Sequence, residues 1–151
     1  MEYVAAPQVR TIANHLIKKF HSHLSPIRIE YVFLSETPLS KGKEAWGRAK
    51  LKTGLDAWLA TPEDEREPDP RRFFVIEISR SVWDSLSEKR RTALVDHELS
   101  HCWIDEHDEL KLVSHDVEEF GAVVARHGLW NLPLETFGKM VQARLPFEEA
   151  A

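Results

Sequence analysis

The sequence has only one cysteine, no long hydrophobic run and no excess of positive charge. The lone Cys102 excludes an intramolecular disulfide and a metal site built from several cysteines, and it fits a reducing, cytosolic setting. No stretch approaches the roughly 18 consecutive apolar residues of a membrane-spanning helix, so we expect no membrane insertion. Twenty Lys and Arg stand against 25 Asp and Glu, a formal net charge of −5. Only a local basic patch would therefore attract nucleic acid.

The composition is that of a soluble globular protein. Of the 151 residues, 42% are hydrophobic and 30% are charged, which fits neither a disordered nor a membrane-embedded chain. The length is that of one ordinary domain with one core. We therefore expect residues 1–151 to form a single domain.

The hydrophobic spacing in the first half predicts one helix followed by strands. Apolar residues recur every three or four positions from Pro7 to Leu24, which is typical of an amphipathic helix. Alternating patterns predict two strands, and the nearly all-apolar Phe73–Ile78 predicts a strand buried on both faces, central in its sheet. Three prolines among acidic residues predict a loop over Thr61–Arg72. The alternating strands are Ile27–Phe33 and Ala45–Lys52.

The second half of the sequence is predicted to be helical. After a turn of helix at Ser81–Leu86, Ser85 and Glu88 match a capping box that opens a long helix extending to about Ile104. Asp105–Ser114 is predicted to be polar loop. Two further helices are predicted at His115–His127, ended by Gly128, and at Pro133–Leu145.

The long helix carries the motif with the clearest chemistry, His97-Glu98-Leu99-Ser100-His101. Residues four apart lie on one face of a helix, so the imidazoles of His97 and His101 can bind one ion. Zinc suits this ligand set, and a catalytic zinc takes three protein ligands and leaves one position for water. Glu98 is then placed to act as the general base.

A third ligand has to come from outside the motif. His107 follows His101 too closely to return to the metal and is interpreted as a loop residue. We favour His115, because 13 intervening residues allow the chain to turn and present the start of the next helix. Carboxylates of that helix are the alternative: they either replace His115 as ligand or hold a ligand imidazole in its tautomer. These carboxylates are Asp116, Glu118 and Glu119.

Other conspicuous residues are predicted to be structural. His15, His21 and His23 are interpreted as surface or helix-cap residues, and His127 as satisfying a helix end. Cys102 points away from the motif and is predicted to be a small buried side chain. Trp83, Trp103 and Trp130 are predicted core aromatics. A solvated strand face, or an anionic partner, would explain the basic stretch, which comprises Lys41, Lys43, Arg48, Lys50 and Lys52.

Three segments also resemble the putative phage metallopeptidase family, found in bacteriophages and prophages. They are Trp83-Asp84-x-Leu86, the run Ala93–Cys102, and His115-Asp116-Val117-Glu118-Glu119-Phe120. The last segment is the more specific, because the zinc motif occurs in many unrelated peptidases. The resemblance implies a zinc-dependent hydrolase of the bacterial host cytoplasm, with a peptide or protein substrate, His97, His101 and His115 as ligands and Glu98 as catalyst.

We therefore expect a zincin-like α+β domain. A mixed sheet of three to four strands would pack against the helix of the zinc motif, with an N-terminal helix and two C-terminal helices around it. An edge strand beside the cleft would bind an extended peptide. Two other functions remain open: a non-catalytic, zinc-stabilised phage protein that binds a host factor, and a protease similar to the SprT-like enzymes that act on DNA-bound proteins.

Overall fold

Four strands form the central sheet, and helices cover one of its faces. The computed structural model describes residues 1–40, 42–114, 121–128 and 130. The strands are β1 (Tyr3–Ala5), β2 (Ile29–Leu34), β3 (Leu39–Ser40), β4 (Lys43–Glu44), β5 (Gly47–Lys52), β6 (Phe73–Ser79), β7 (Cys102–Ile104) and β8 (Leu110–Leu112). The helices are α1 (Pro7–Phe20), α2 (Gly54–Leu59), α3 (Arg80–Ser85), α4 (Glu88–Ser100) and α5 (Gly121–His127), with 3-10 turns at Ser22–Leu24 and Glu63–Glu65.

The sheet is mixed, with strand order β1-β2-β6-β5. Strands β2 and β6 run parallel, whereas β1 and β5 each pair antiparallel with their neighbours. The α+β class and the four-stranded mixed sheet are confirmed, and β6 is central as its apolar sequence predicted. Strand β1, helix α2 and the short β3–β4 pair were not predicted.

The helical face of the sheet carries the hydrophobic core. Alternate residues of β2 and β6 point to this face, and Phe74, Ile76 and Ile78 of β6 are fully buried. They belong to one buried cluster with side chains of α1 and α4. Each large side chain buried in this way contributes about 1.5–3 kcal/mol. The helix members of the cluster include Val9, Ala13, Leu16, Leu94, Val95 and Leu99.

Helix α4 differs from its prediction at both ends. Ser87, not Ser85, caps its start by accepting a hydrogen bond from the N–H of Arg90, while the Ser85 hydroxyl donates to the carbonyl of Val82 at the end of α3. The helix ends at Ser100 rather than near Ile104. Helix α1 also stops earlier than predicted, at Phe20.

A hairpin, β7–β8, follows α4. Its first strand lies in residues predicted to be helical, and its second lies in the predicted loop Asp105–Ser114. Its turn is held by Asp105, whose carboxylate accepts hydrogen bonds from the N–H groups of His107 and Glu109. Asp108 adopts a left-handed backbone conformation (φ 60°) that closes the turn. The chain therefore leaves α4 along β7, reverses at the turn and returns along β8 to the end of α4, where Val113 bonds to His101.

The structure describes only part of the chain that follows the β7–β8 hairpin. Helix α5 covers the end of the predicted helix His115–His127, and Gly128 (φ 70°) ends it as predicted, donating its N–H to the carbonyl of Val124. The start of that helix and the predicted helix Pro133–Leu145 lie outside the described residues. Within the described part, no helix has the length and apolar character needed to cross a membrane.

Candidate metal centre

Helix α4 presents the two histidines of the motif on one face. His97 lies in its last turn, and His101 follows the last helical residue with backbone angles that are still helical (φ −73°, ψ −22°). The ring centroids lie 5.1 Å apart. Both side chains are largely buried, with exposed fractions of 13% and 20%. The pair is therefore shielded but reachable from solvent.

Glu98 brings a carboxylate to the same place. Its Oε2 lies 3.9 Å from Nε2 of His97, and its Oε1 lies 3.9 Å from Nε2 of His101. Ligand atoms of the three residues all lie within 4.8 Å of one another, close enough for one metal ion to reach them. Only 3% of the Glu98 side chain is exposed. Among the described residues this is the one such group of three potential ligands.

The β7–β8 hairpin fixes the orientation of the His101 ring. Nδ1 of His101 lies 2.6 Å from the carbonyl oxygen of Val113, and the Val113 N–H donates to the carbonyl of His101 at 2.8 Å. A carbonyl only accepts, so Nδ1 carries the proton and the lone pair of the neutral ring is on Nε2. That nitrogen is the one near Glu98. Metal-binding histidines are commonly oriented in this way.

Strand β5 reaches the motif at its first residue, Gly47. A Cβ at this position would lie 3.1 Å from Oε2 of Glu98, 2.8 Å from Cδ1 of Ile78 and 3.2 Å from the carbonyl oxygen of Glu77. An added Cβ would have to displace Cδ1 of Ile78, and it would crowd the carboxylate of Glu98 and the backbone of β6. Glycine is thus needed here for the close approach of backbone and Glu98 rather than for an unusual φ angle.

Two tryptophans pack beside the site. Trp130 is buried, and its ring centroid lies 5.9 Å from that of His97 and 6.0 Å from that of Trp46. Apolar rings at this position lower the local polarity and strengthen electrostatic interactions at the motif. Trp130 was predicted to be a core aromatic, and the structure confirms it.

A second polar cluster lies next to the motif around Asp96, which is completely buried. Its Oδ1 lies 2.6 Å from Nε2 of His21, and its Oδ2 lies 2.8 Å from Nε2 of His127. Nη1 of Arg126 donates to both oxygens, at 2.8 and 2.7 Å. Burial alone would raise the pKa of Asp96, but these hydrogen bonds outweigh it and hold that pKa below its usual value.

The Asp96 cluster includes two histidines for which the sequence predicted a structural role. His21 was predicted to be a surface or helix-cap residue. It is the C-cap of α1, but it does not lie on the surface, since only 6% of it is exposed and it pairs with Asp96. His127 ends α5 and binds the same carboxylate. Asp96 was not predicted to be a functional or structural site residue, although a single aspartate among the apolar residues of a buried helix face is a signal for a hydrogen-bonded cluster.

Other predictions have mixed outcomes. Cys102 is buried, as predicted, and burial raises the pKa of its thiol. Trp83 is a core residue, but Trp103 is not, since 48% of it is exposed. His15 is exposed, as predicted, and His107 lies in the exposed hairpin turn.

The predicted basic strand face is partly paired and is not simply solvated. Arg48 and Lys50 lie 2.6 and 3.2 Å from the buried carboxylate of Glu77. All six residues of β5 are half-buried. Lys41 lies outside the described residues.

The candidate third ligands also lie outside the described residues. These are His115, Glu118 and Glu119, together with Asp116. Helix α5 begins directly after this segment, at Gly121, and α4 and α5 are joined through Asp96.

Comparison with models of protein families identifies the same family that the three sequence segments resemble. The model of the family described as putative phage metallopeptidase matches residues 1–143, nearly the whole chain. Neither the curated proteins nor the solved structures include a match to the chain. The match spans the sheet, the motif and the segment after it, and the chain belongs to the putative phage metallopeptidase family.

Proposed function

We propose that the protein is a zinc-dependent, zincin-like peptidase in which His97 and His101 bind the ion and Glu98 is the general base. The observation that carries the proposal is the convergence of two imidazoles and one carboxylate within 4.8 Å on a buried helix end. The family assignment supports a metal-dependent peptidase, and the geometry supports the individual roles.

The residues present fit a zinc ion. Imidazole nitrogens and carboxylate oxygens are ligands that zinc prefers, and cysteine thiolates, the other common choice, are not needed for a catalytic site. The ring of His101 is held with its lone pair on Nε2 by the Val113 carbonyl. The apolar packing of Trp130 against His97 limits the access of bulk water. A catalytic site of this type takes a third protein ligand, for which we propose His115.

When bound, zinc would polarise the substrate carbonyl and lower the pKa of a coordinated water to about 7. Glu98 supplies the proton transfers. One of its carboxylate oxygens accepts a proton from the attacking water and then donates it to the nitrogen of the leaving amine. The buried position of Glu98 beside Gly47 keeps the carboxylate in one place during both transfers.

Strand β5 is the element best placed to bind the substrate. It forms one edge of the described sheet, and its first residue, Gly47, touches Glu98. A peptide that pairs with this edge in extended conformation would lie across the motif, held by main-chain hydrogen bonds. Sequence preference would then come from the side chains of the edge, including Trp46 and Arg48.

The experiment that tests the role of Glu98 compares native protein with Glu98→Gln and with Glu109→Gln, a control at an exposed hairpin position. Each zinc-loaded protein is incubated with a library of quenched-fluorescence peptides. We expect Glu98→Gln to retain zinc and to lose about 10²–10⁴-fold in hydrolysis rate, and Glu109→Gln to remain active. Loss of zinc from Glu98→Gln would contradict the assigned role. Absence of hydrolysis by native protein would favour the non-catalytic function.

The third ligand is tested separately by zinc affinity. His115→Ala should weaken zinc binding strongly, whereas a Glu118→Ala, Glu119→Ala double variant should leave it within about 10–100-fold of native. If the double variant loses the metal and His115→Ala keeps it, the ligand set is two histidines and a glutamate. Competition with a fluorescent chelator measures both affinities.

A further inference from the structure

Two adjoining cavities lie on a part of the protein that the motif does not use. One, of about 390 Å³, is bounded by the start of β2, Trp58 and the loop 61–72. The other, of about 570 Å³, lies between α1 and β2. Ile27 and Arg28 line both cavities, and the two cavities together are called the arginine groove. None of the three motif residues lines it.

The arginine groove is basic although the protein is acidic. Six cationic side chains line it against three carboxylates, Glu30, Glu65 and Glu67, whereas the whole chain has a net charge of −5. The remaining acidic residues of the loop, Glu63, Asp64 and Asp69, line neither cavity. The six cations are Arg10, Lys18, Arg28, Arg66, Arg71 and Arg72.

Some of the cations in the groove are paired with carboxylates, and others are not. Arg10 and Arg28 share one carboxylate, that of Glu30, at 3.3 and 3.0 Å. Among the described residues, Arg71 and Arg72 form no ion pair or side-chain hydrogen bond, and both are exposed. The side chains of Arg71 and Arg72 are thus open to solvent at the end of the loop, and no carboxylate of the described residues is paired with either of them. An anion is the ligand that such a pair would bind.

Aromatic rings accompany these cations. The guanidinium of Arg66 lies 4.3 Å from the ring centroid of the half-buried Trp58, and that of Arg28 lies 4.0 Å from the ring of Phe73. Strand pairing places Lys52 directly opposite Phe73, which extends the basic surface onto β5. Only Trp58 of these two rings lines the groove, because Phe73 is buried and lines neither cavity. An aromatic ring beside several cations is a feature of surfaces that bind single-stranded nucleic acid.

We propose that the arginine groove binds the phosphate backbone of a single-stranded nucleic acid. Guanidinium groups match phosphate oxygens in a two-pronged geometry. Arg71 and Arg72 are the groove arginines placed to do so, because Arg66 already donates to backbone carbonyls and the other two, Arg10 and Arg28, already contact Glu30. Each cavity has a volume in the range of small-ligand pockets, so flexible nucleotides can enter where the convex surface of a duplex cannot. This inference does not depend on zinc or on hydrolysis.

The test uses native protein and fluorescently labelled single-stranded oligonucleotides, one DNA and one RNA, in fluorescence anisotropy titrations at low salt. The groove variant is Arg71→Glu, Arg72→Glu. Its control is Lys43→Glu, Lys89→Glu, which makes the same change of net charge at exposed residues that line neither cavity. Thermal unfolding of each variant checks that the fold is retained.

We expect native protein and the control to bind, and the groove variant to bind roughly tenfold or more weakly. Its salt dependence, the slope of log K against log salt concentration, should fall in magnitude by about 1.4, the contribution of two phosphate contacts on a single strand. Absence of binding by native protein, or equal weakening in both variants, would overturn the proposal. So would binding of polyglutamate with no binding of either oligonucleotide, which would indicate an acidic protein partner.

Discussion

Arg126 binds both carboxylate oxygens of Asp96 through a single nitrogen, Nη1, at 2.8 and 2.7 Å. Asp96 directly precedes His97, so this contact ties α5 to the helix that carries the motif. His21 ties the end of α1 to the same carboxylate. One buried side chain therefore joins three helical elements behind the candidate metal centre.

Replacing Asp96 by Asn tests this junction. The variant keeps the size of the side chain but loses the charge that Arg126 and the histidines face, and removal of one partner from a buried ion pair costs about 3–5 kcal/mol. We expect the free energy of unfolding in urea to fall by that amount. Asp84→Asn is the matched control, because Asp84 pairs with Arg80 on the surface, where such a pair contributes about 0–1 kcal/mol. Equal effects of the two substitutions would contradict a structural role for the Asp96 cluster.

Replacing Gly47 by Ala tests the contact between β5 and Glu98. The added Cβ would clash with Ile78 and crowd the Glu98 carboxylate, so we expect about 1–3 kcal/mol of destabilisation together with loss of peptide hydrolysis. Gly54→Ala is the control. It strains a left-handed residue (φ 54°) with no atom within 4 Å of the new Cβ, so it should lower stability and leave hydrolysis unchanged. Equal activity of both variants would show that Gly47 does not position Glu98.

His23 makes the stability depend on pH. Burial, and the neighbouring His21, lower its pKa below the usual value of about 6.5, and its Nε2 is buried without a hydrogen-bond partner among the described residues. The unfolded chain therefore binds a proton at a higher pH than the folded protein does. The contribution of His23 to stability is complete above pH 6.5 and is lost as the pH falls through the folded pKa.

The pH dependence of His23 is measured by urea unfolding between pH 8 and pH 5. We expect His23→Gln to show a smaller loss of stability over this range than native protein. NMR titration of the His23 ring in native protein should give a pKa below 6.5. A pKa at or above 6.5, or identical pH profiles of the two proteins, would contradict the assignment.

Elements with a strong local pattern were predicted correctly. The apolar run of β6 and the alternation in β2 predicted the bounds of both strands to within two residues. Each pattern involves only neighbouring residues, whose polarity shows which faces of the strand are buried. The spacing of four residues between His97 and His101 likewise predicted that they share a face, because this depends only on the geometry of one helix.

Features that depend on distant contacts were not predicted. The three partners of Asp96 are His21, Arg126 and His127, which lie 75, 30 and 31 positions from it in the sequence. No local pattern connects residues this far apart. Helix α4 ends early because Cys102–Ile104 pairs with Leu110–Leu112 across the Asp105 turn, and the sequence of α4 alone does not show this pairing. Trp103 is exposed because the same hairpin turns it outward against the ring of His23.

The most direct test of the central claim is the zinc content of the purified protein, measured by native mass spectrometry. Native protein and His15→Ala, a control at an exposed histidine of α1, should each bind about one zinc per chain. His97→Ala and His101→Ala should lose the metal while their circular dichroism remains that of a folded protein. Full zinc occupancy in both motif variants, or no zinc in native protein after zinc loading, would contradict a metal centre at the end of α4.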